Sequence, residues 1–377
     1  MEALKRIREI LKEWRAKVEV LPAAGGALED MLHPDPEEQE ERAFTDESIF
    51  NTIWERAEGN ERGSSLYQPT PPRARIEDHL FRYFLDGSLR SYFLGTALEH
   101  NRDTPVHYAQ IGACVLWRRD DGTVQREHLE IRHLLLASKQ RLSDEAWLFL
   151  EHRCQNTPVV LEDLTASDAI SQIYSDADLR VRAGGKIRYK MRELEAELMQ
   201  KILPKLSENC WLIADGSLMF QPILQSLVEG RKEIPPVLGV SKNFRKDPQF
   251  EWGKGHGFQR LSISKLLAKL GDKHRTAVFK ASQGRVGFWY VRLRPQGEVD
   301  YPLMGVVKCE VVTPTQEPVP TDLVDRLSAA LVAERNVTPH GHDRRWHAHL
   351  YPIHLAEESI RNAFYSREVV QQLMRWR

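Results

Sequence analysis

Two stretches of the sequence share one pattern: YFLDGSL at residues 83–89 and LIADGSL at residues 212–218. In each, an apolar run delivers a carboxylate, Asp86 or Asp215, immediately before a glycine that lets the backbone turn sharply. Taken singly, each stretch is typical of an ordinary junction between a strand and a turn, where Asp-Gly is common. Taken together, they predict two buried strands whose carboxyl ends hold a candidate site for hard divalent cations.

The sequence around these stretches alternates between strand and helix patterns. A meander of strands comes first and includes a hairpin signal, Asp-Asp-Gly-Thr, at residues 120–123. After residue 142 helical segments alternate with short apolar strands, and the longest helical segment covers residues 186–206. This order predicts an α/β protein with a mixed sheet flanked by helices. The strands of the meander are predicted at residues 79–85, 91–98, 106–118 and 123–136.

Composition limits the class of protein. A chain of 377 residues with 41% hydrophobic residues can bury a sizeable core, and its 53 basic and 54 acidic residues exclude a chain that is basic throughout. No window approaches a membrane-spanning length of apolar residues, and the first residues lack the apolar region of a secretion signal. The four widely spaced cysteines are typical of free thiols in a reducing compartment. These features predict a cytoplasmic protein without a membrane segment.

The N-terminal part of the chain differs from the rest. Residues 1–20 have helical apolar spacing, and residues 59–75 have the glycine, serine and proline content of a linker. We therefore expect an N-terminal helical and acidic extension over residues 1–75, followed by one domain over residues 76–377. The first helix has an apolar side that could dock on this domain, on a second copy of the chain or on an ATPase.

Charge is distributed unevenly along the chain. Residues 1–60 hold 8 basic and 15 acidic side chains, a net charge of −7; the whole chain carries −1, so residues 61–377 carry +6. The acidic excess lies between Glu29 and Glu47, where Arg42 is the one base. The body can therefore attract a polyanion such as DNA, and the acidic segment is expected to weaken that attraction. The basic run at residues 180–192 is more typical of a solvated helix face.

The spacing of apolar residues along the longest predicted helix points to a third carboxylate for the candidate cation site. The apolar face of the segment 186–206 contains Met191, Leu194, Leu198 and Ile202, and Glu195 falls within that stripe while Glu193 and Glu197 lie opposite. A carboxylate on a buried face is costly unless it is paired or bound to metal. Glu195 could instead pair with Arg188 or Arg192. With Asp86 and Asp215 it would complete the acidic trio of a metal-dependent phosphodiester hydrolase.

Several segments in this order resemble the NurA-type nuclease family, over roughly residues 77–365. No single segment is specific for this family, and the resemblance depends on the order and the spacing of all the matching segments. The matching segments are FLDGS at 84–88, MRELE at 191–195, LIADGSL at 212–218, GVSK at 239–242 and a Tyr-Pro pair at 351–352 that leads into a helix.

The resemblance implies an RNase H-like core and a DNA nuclease that depends on Mn²⁺ or Mg²⁺, with two ions expected. It implies that Asp86, a helical glutamate and Asp215 bind metal, and that Lys242 approaches the scissile phosphate. It also implies a homodimer that docks on a HerA-type hexameric ATPase in DNA end processing, for repair or for defence against phage. The alternative is a catalytically inactive adaptor that keeps the fold and the ATPase-binding surface.

The chain departs from the family pattern near its C-terminal end. The family often carries a catalytic histidine after the Tyr-Pro pair, in an Ala-His dipeptide, whereas residues 351–358 here read YPIHLAEE. His354 could take that role from a shifted position, or Glu357 or Glu358 could stand in its place. Motif matching also leaves the helical glutamate open among Glu193, Glu195 and Glu197, and only helix phase selects Glu195.

Two further clusters carry weaker signals. No cysteine or spaced acid completes a zinc pattern around the late histidines, so a solvent-facing polar strand over residues 345–350 is favoured over a transition-metal site. The glycines of residues 253–257 lack the flanking strand and helix of a phosphate-binding loop, and no Walker A pattern is present. The late histidines are His340, His342, His347, His349 and His354.

Overall fold

In the computed structural model the chain forms a large mixed sheet with helices packed on both faces, which confirms the predicted α/β class. The described residues are 2–23, 49–50, 53–56, 65–73, 79–165, 176–252, 259–295, 303–338 and 348–374. The helices are α1 (Glu2–Trp14), α2 (Asp144–Cys154), α3 (Asp176–Ile202), α4 (Gln221–Val228), α5 (Ile263–Ala268), α6 (Thr321–Ala333), α7 (Tyr351–Ala363) and α8 (Arg367–Leu373).

The strands differ greatly in length, from two residues at β2, β3 and β17 to nineteen residues at β5. They are β1 (Glu19–Pro22), β2 (Ile49–Phe50), β3 (Glu55–Arg56), β4 (Tyr67–Pro69), β5 (Phe81–Glu99), β6 (Arg102–Arg118), β7 (Val124–Ala137), β8 (Val159–Asp163), β9 (Trp211–Asp215), β10 (Val237–Ser241), β11 (Gln249–Trp252), β12 (Gln259–Ser262), β13 (His274–Thr276), β14 (Phe279–Ala281), β15 (Val286–Arg292), β16 (Val306–Val312) and β17 (Val319–Pro320).

The main sheet has twelve strands, ten of them in the order β4-β13-β15-β16-β10-β9-β5-β6-β7-β8, while β1 pairs with β5 and β14 with β15. Strands β5, β6 and β7 form an antiparallel meander, as the sequence predicts. Strands β9 and β10 are parallel to β5 and to each other, and β16 returns antiparallel to β10. The two halves of the sheet therefore meet where β5 pairs with β9.

The prediction that a strand ends at Asp86 is wrong. Residues 81–85 and 91–98 belong to one strand, β5, in which Asp86, Gly87 and Ser88 pair in register with β6. The long antiparallel partner continues the hydrogen-bond ladder through this Asp-Gly pair, so the turn tendency is overridden. At the second stretch the prediction is right, because β9 ends at Asp215 and Gly216 has a φ of 89°.

The helices cover the two faces of the meander differently. Helix α3 packs on the face that carries Leu85, Ala113 and Ala214, in one hydrophobic cluster. Helices α6 and α7 pack on the opposite face, in a second cluster that includes Phe84 and Ile213. Because successive strand residues point to opposite faces, Asp86 and Asp215 lie in phase with the face that α7 covers.

The described part of the N-terminal extension packs on the body. Six residues of α1 are buried, and they join a cluster with Tyr92 and Leu135 of the meander. The indole nitrogen of Trp14 donates a hydrogen bond to the carbonyl of Ala146, at 3.1 Å. Strand β1 extends the contact by pairing with the end of β5. Of the three docking partners that the sequence leaves open for α1, the structure therefore shows the body of the same chain.

The described residues bear on membrane-spanning helices and on the state of the cysteines. None of the helices in that part of the chain combines the length and the apolar character needed to cross a membrane. Cys114, Cys154, Cys210 and Cys309 are all free thiols. Burial raises the pKa of the Cys114 thiol to about 12, so this cysteine is an inert core residue.

Candidate metal centre

Asp86 and Asp215 lie on neighbouring parallel strands at the same level of the sheet. The register of β5 and β9 pairs Phe84 with Ile213 and Leu85 with Ala214, and each aspartate is the next residue along its strand. Beyond Asp215 the chain leaves the sheet, while β5 continues along β6. The two carboxylates are thus brought together where two parallel strands diverge.

Glu195 lies on helix α3, which packs on the other face of the sheet, and its carboxylate lies against Gly87, the residue after Asp86. The Glu195 side chain is buried, with 3% of the residue exposed. Gly87 makes this approach possible, because a Cβ atom at Gly87 would lie 2.3 Å from Oε1 of Glu195. The other helical candidates point elsewhere: Glu193 pairs with Lys190 at 3.0 Å, and Glu197 pairs with Arg132. Of the three helical glutamates, Glu195 is therefore the one that lies beside the strand that carries Asp86.

Arg192 links Glu195 to the turn after β9. Its guanidinium pairs with Oε2 of Glu195 and donates to the carbonyl oxygens of Asp215, at 3.3 Å, and of Ser217. The ion pair with Arg192, which the sequence leaves open as an alternative to metal, is thus present. It occupies one carboxylate oxygen of Glu195, whereas the other faces Gly87.

Lys242 follows β10 and returns to the centre. The parallel register of β9 and β10 places Val240 beside Asp215, and Lys242 Nζ lies 2.7 Å from Oδ2 of Asp215. The lysine side chain is largely buried, so its ammonium is directed inward and not into open solvent. A cation therefore already neutralises part of the negative charge at this site.

The pKa of the Asp86 carboxyl is raised because the group is buried and lies near other carboxylates. Burial first, and then the negative charge of Asp215, raise the pKa of the Asp86 carboxyl well above its usual range. Glu357 and Glu195 raise the pKa of Asp86 further, while Lys242 opposes the shift. A divalent cation at this point would relieve the mutual repulsion of these acids.

Helix α7 supplies the residues that depart from the family pattern. Glu357, one of the three alternatives, lies within electrostatic range of Asp86, and its charge raises the pKa of the Asp86 carboxyl. His354 lies one turn before Glu357, and its ring meets that of His349 edge to face at 5.5 Å. The donor atoms of His349, His354 and Glu357 all lie within 4.8 Å of one another.

The turn after β9 is held by a residue that the sequence analysis missed. Oε2 of Glu310 accepts hydrogen bonds from the Ser217 hydroxyl and the Leu218 amide, each at 2.8 Å. Oε1 of Glu310 pairs with Lys308 at 2.8 Å, and both side chains are buried. The signal was present in the sequence, because two charged residues interrupt the apolar strand VVKCEVV.

The residues at this centre fit a hard divalent cation. Asp86, Glu195 and Asp215 offer only carboxylate oxygens, which are the ligands that Mg²⁺ and Mn²⁺ accept. The space that the missing Cβ of Gly87 leaves is filled by a carboxylate and not by an apolar side chain, so the fold accommodates charge at this point.

The remaining features are an aromatic run, an arginine after β10, a glycine-rich stretch and three of the late histidines. The aromatic run Phe288–Tyr290 is buried and belongs to the core of the sheet. Arg245, which follows β10, is buried and pairs with Asp247. The glycine-rich stretch 253–257 lies outside the described residues, as do His340, His342 and His347.

No protein-family model matches this chain, and no curated protein sequence matches it.

Proposed function

We propose that this protein is a divalent-metal-dependent DNA nuclease of the NurA type. The observation that carries the proposal is the pair Asp86 and Asp215 where β5 and β9 diverge, with Glu195 buried beside Gly87 and acting on the pKa of Asp86. Burying several carboxylates together opposes folding unless they are neutralised, and a metal-dependent hydrolase uses such an arrangement.

Each residue has a role in this proposal. The three carboxylates would hold Mn²⁺ or Mg²⁺, which when bound polarises the phosphate and activates water. Arg192 fixes Glu195 relative to the Asp215 turn, and Glu310 fixes the following residues of that turn. Lys242 lies beside Asp215, where its ammonium can meet a phosphate oxygen of the substrate.

The topology and charge of the body support the substrate and fold class. The order β7-β6-β5-β9-β10, with an antiparallel meander followed by two parallel strands, is compatible with the RNase H-like core that the resemblance implies. Residues 61–377 carry +6, which favours a polyanionic substrate. By the same resemblance, we propose a homodimer that acts with a HerA-like hexameric ATPase in the cytoplasm, in DNA repair or anti-phage defence.

The test is cleavage of linear DNA with Mn²⁺ by wild type, Asp215→Asn and Glu195→Gln. Both substitutions should reduce cleavage at least about a hundredfold, because each removes a charged metal ligand. Glu193→Gln and Glu197→Gln are matched controls on the same helix, and they should cleave like wild type because their side chains pair away from the centre. Equal cleavage by all five proteins contradicts the proposal.

A non-catalytic adaptor is the second candidate, and the Ala-Glu-Glu segment at residues 356–358, where the NurA pattern has Ala-His, favours it. The two candidates differ in metal binding, because binding to the native state raises the melting temperature. Mn²⁺ should raise the melting temperature of wild type but not of Asp215→Asn if the centre is a nuclease site. An adaptor without a metal centre should show no such difference between the two proteins.

A further inference from the structure

The described residues contain one cluster of nitrogen and oxygen donors that the acidic trio does not use. His349, His354 and Glu357 each offer one ligand atom, and these atoms lie within 4.8 Å of one another. We propose that these three residues form a separate metal site, which takes a borderline transition-metal ion such as Zn²⁺. Two imidazole nitrogens and one carboxylate oxygen are a ligand set that Zn²⁺ accepts, with the remaining position open.

The backbone holds the three ligands in a short, fixed stretch. His354 and Glu357 are three residues apart on α7, so they lie on the same side of the helix. His349 precedes the helix, and its carbonyl accepts a hydrogen bond from the Val337 amide at 2.8 Å. The His354 amide donates to the Leu350 carbonyl at 3.0 Å, which continues the helix back toward His349. The ligands are therefore arranged before any ion binds.

The surroundings suit a bound ion. Only 4% of His349 is exposed, and its ring meets that of His354 edge to face, at an interplanar angle of 75°. Glu357 also contributes negative potential at Asp86, so the cluster lies close to an excess of carboxylates. A cation here would be attracted by these charges in an environment that is partly removed from water.

Arg361 is the nearest competitor for the carboxylate. Its guanidinium lies 2.6 Å from Oε1 of Glu357, one helical turn away, and its side chain is 47% exposed. Ion pairs of this exposed helical kind contribute little to stability. A metal ion can therefore displace Arg361 or share the carboxylate through the second oxygen.

The chemistry of the donors separates this site from the acidic trio. Mg²⁺ demands oxygen ligands and suits the carboxylates of Asp86, Glu195 and Asp215, whereas imidazole nitrogen favours Zn²⁺ and Co²⁺. In the presence of excess Mg²⁺, added Zn²⁺ should fill the histidine site. The inference does not depend on the proposed nuclease activity, because a non-catalytic chain would keep the same three ligands.

The experiment is calorimetric titration of Zn²⁺ into the purified full chain in excess Mg²⁺, with Co²⁺ absorption in the visible range as an independent sign of nitrogen ligands. Wild type should bind about one ion per chain at this site. His354→Gln and Glu357→Gln should each lose it, while the exposed control His152→Gln on α2 should keep it. Circular dichroism of the metal-free proteins shows whether each variant is folded.

The same titration separates this inference from the proposed function. Asp215→Asn should lose Mn²⁺-dependent cleavage and still bind Zn²⁺, because Asp215 is not a ligand of the histidine site. Wild type that binds no Zn²⁺, or unchanged binding in either His354→Gln or Glu357→Gln, overturns the three-ligand site. Unchanged binding in both variants would place the ion on other residues of the chain.

Discussion

At the scale of single residues, Gly87 decides whether Glu195 can reach the centre. An alanine Cβ would lie 2.3 Å from Oε1 of Glu195, closer than any real contact, so the carboxylate must move. We expect Gly87→Ala to cost about 1–3 kcal/mol of stability and to abolish the Mn²⁺-dependent rise in melting temperature. Thermal unfolding with and without Mn²⁺ measures both effects.

Gly185→Ala is the matched control for this substitution. Gly185 lies in the same helix as Glu195, and a Cβ there would meet nothing within 4 Å. Alanine should stabilise this helix by about 0.5–1 kcal/mol and leave the Mn²⁺ response unchanged. If Gly87→Ala keeps the full Mn²⁺ response, the close approach of Glu195 has no part in metal binding.

The raised pKa of Asp86 gives a prediction about pH. Because burial and the neighbouring carboxylates raise its pKa in the folded state, the folded chain binds more protons than the unfolded chain does. Stability of the metal-free protein should therefore fall as pH rises from the unfolded pKa through the folded pKa of this group. In EDTA at neutral pH, Asp86→Asn should melt at a higher temperature than wild type, because the amide cannot ionise.

This advantage of Asp86→Asn should shrink as the pH is lowered, since wild-type Asp86 then becomes neutral too. Asp272→Asn, at an exposed position, is the control for the same change of side chain. Melting curves between about pH 5 and pH 8 test whether the stability advantage of Asp86→Asn over wild type grows as the pH rises. A wild-type protein that is more stable than Asp86→Asn throughout this range would contradict the assignment of Asp86 as a destabilising buried acid.

The residues of the centre were only partly predictable from sequence. Helical phase distinguishes Glu195 from Glu193 and Glu197, because burial of one helix face follows a simple period. The approach of Glu357 to Asp86 depends on how α7 packs across the sheet, and no local pattern encodes that. The strand pattern over residues 345–350 does not reveal the cluster of His349, His354 and Glu357, because Glu357 lies on the following helix.

At the scale of elements, α1 is a structural part of the body. Ile7 is fully buried in a cluster shared with the meander, so Ile7→Ala should reduce the free energy of unfolding by about 2–5 kcal/mol. Arg8→Ala, on the exposed side of the same helix, should change it by less than about 0.5 kcal/mol. Urea denaturation measures both, and equal stability of the two variants would mean that α1 does not dock in solution.

Element types were more predictable than their lengths. The alternation of strands and helices follows from periodicity, and the mixed sheet is confirmed. The sequence predicts two short strands around Asp86, whereas β5 runs through all nineteen residues because β6 pairs with it throughout. Pairing between distant residues overrides a local turn signal, and a single sequence does not show that competition.

At the scale of the whole molecule, the acidic residues of the N-terminal region and the elements that pack on the body are different parts of the chain. Deleting residues 1–60 would remove the acidic excess, but it would also remove α1, β1, β2 and β3, which pack or pair with the body. Such a deletion cannot separate electrostatics from folding. Replacing the nine acids from Glu29 to Glu47 by their amides changes the net charge from −1 to +8 without removing these elements.

We expect the amide variant to bind DNA more tightly than wild type at low salt, because nine negative charges no longer oppose a body that carries +6. The gain should shrink as salt is added, since screening weakens the repulsion that the acids exert. Fluorescence anisotropy with labelled DNA across a salt series measures both effects. A control in which each Asp of the segment becomes Glu, and each Glu becomes Asp, keeps the charge and should bind like wild type. If the amide variant also binds like wild type at low salt, the acidic segment does not oppose DNA, and the body's positive charge is not what attracts the substrate.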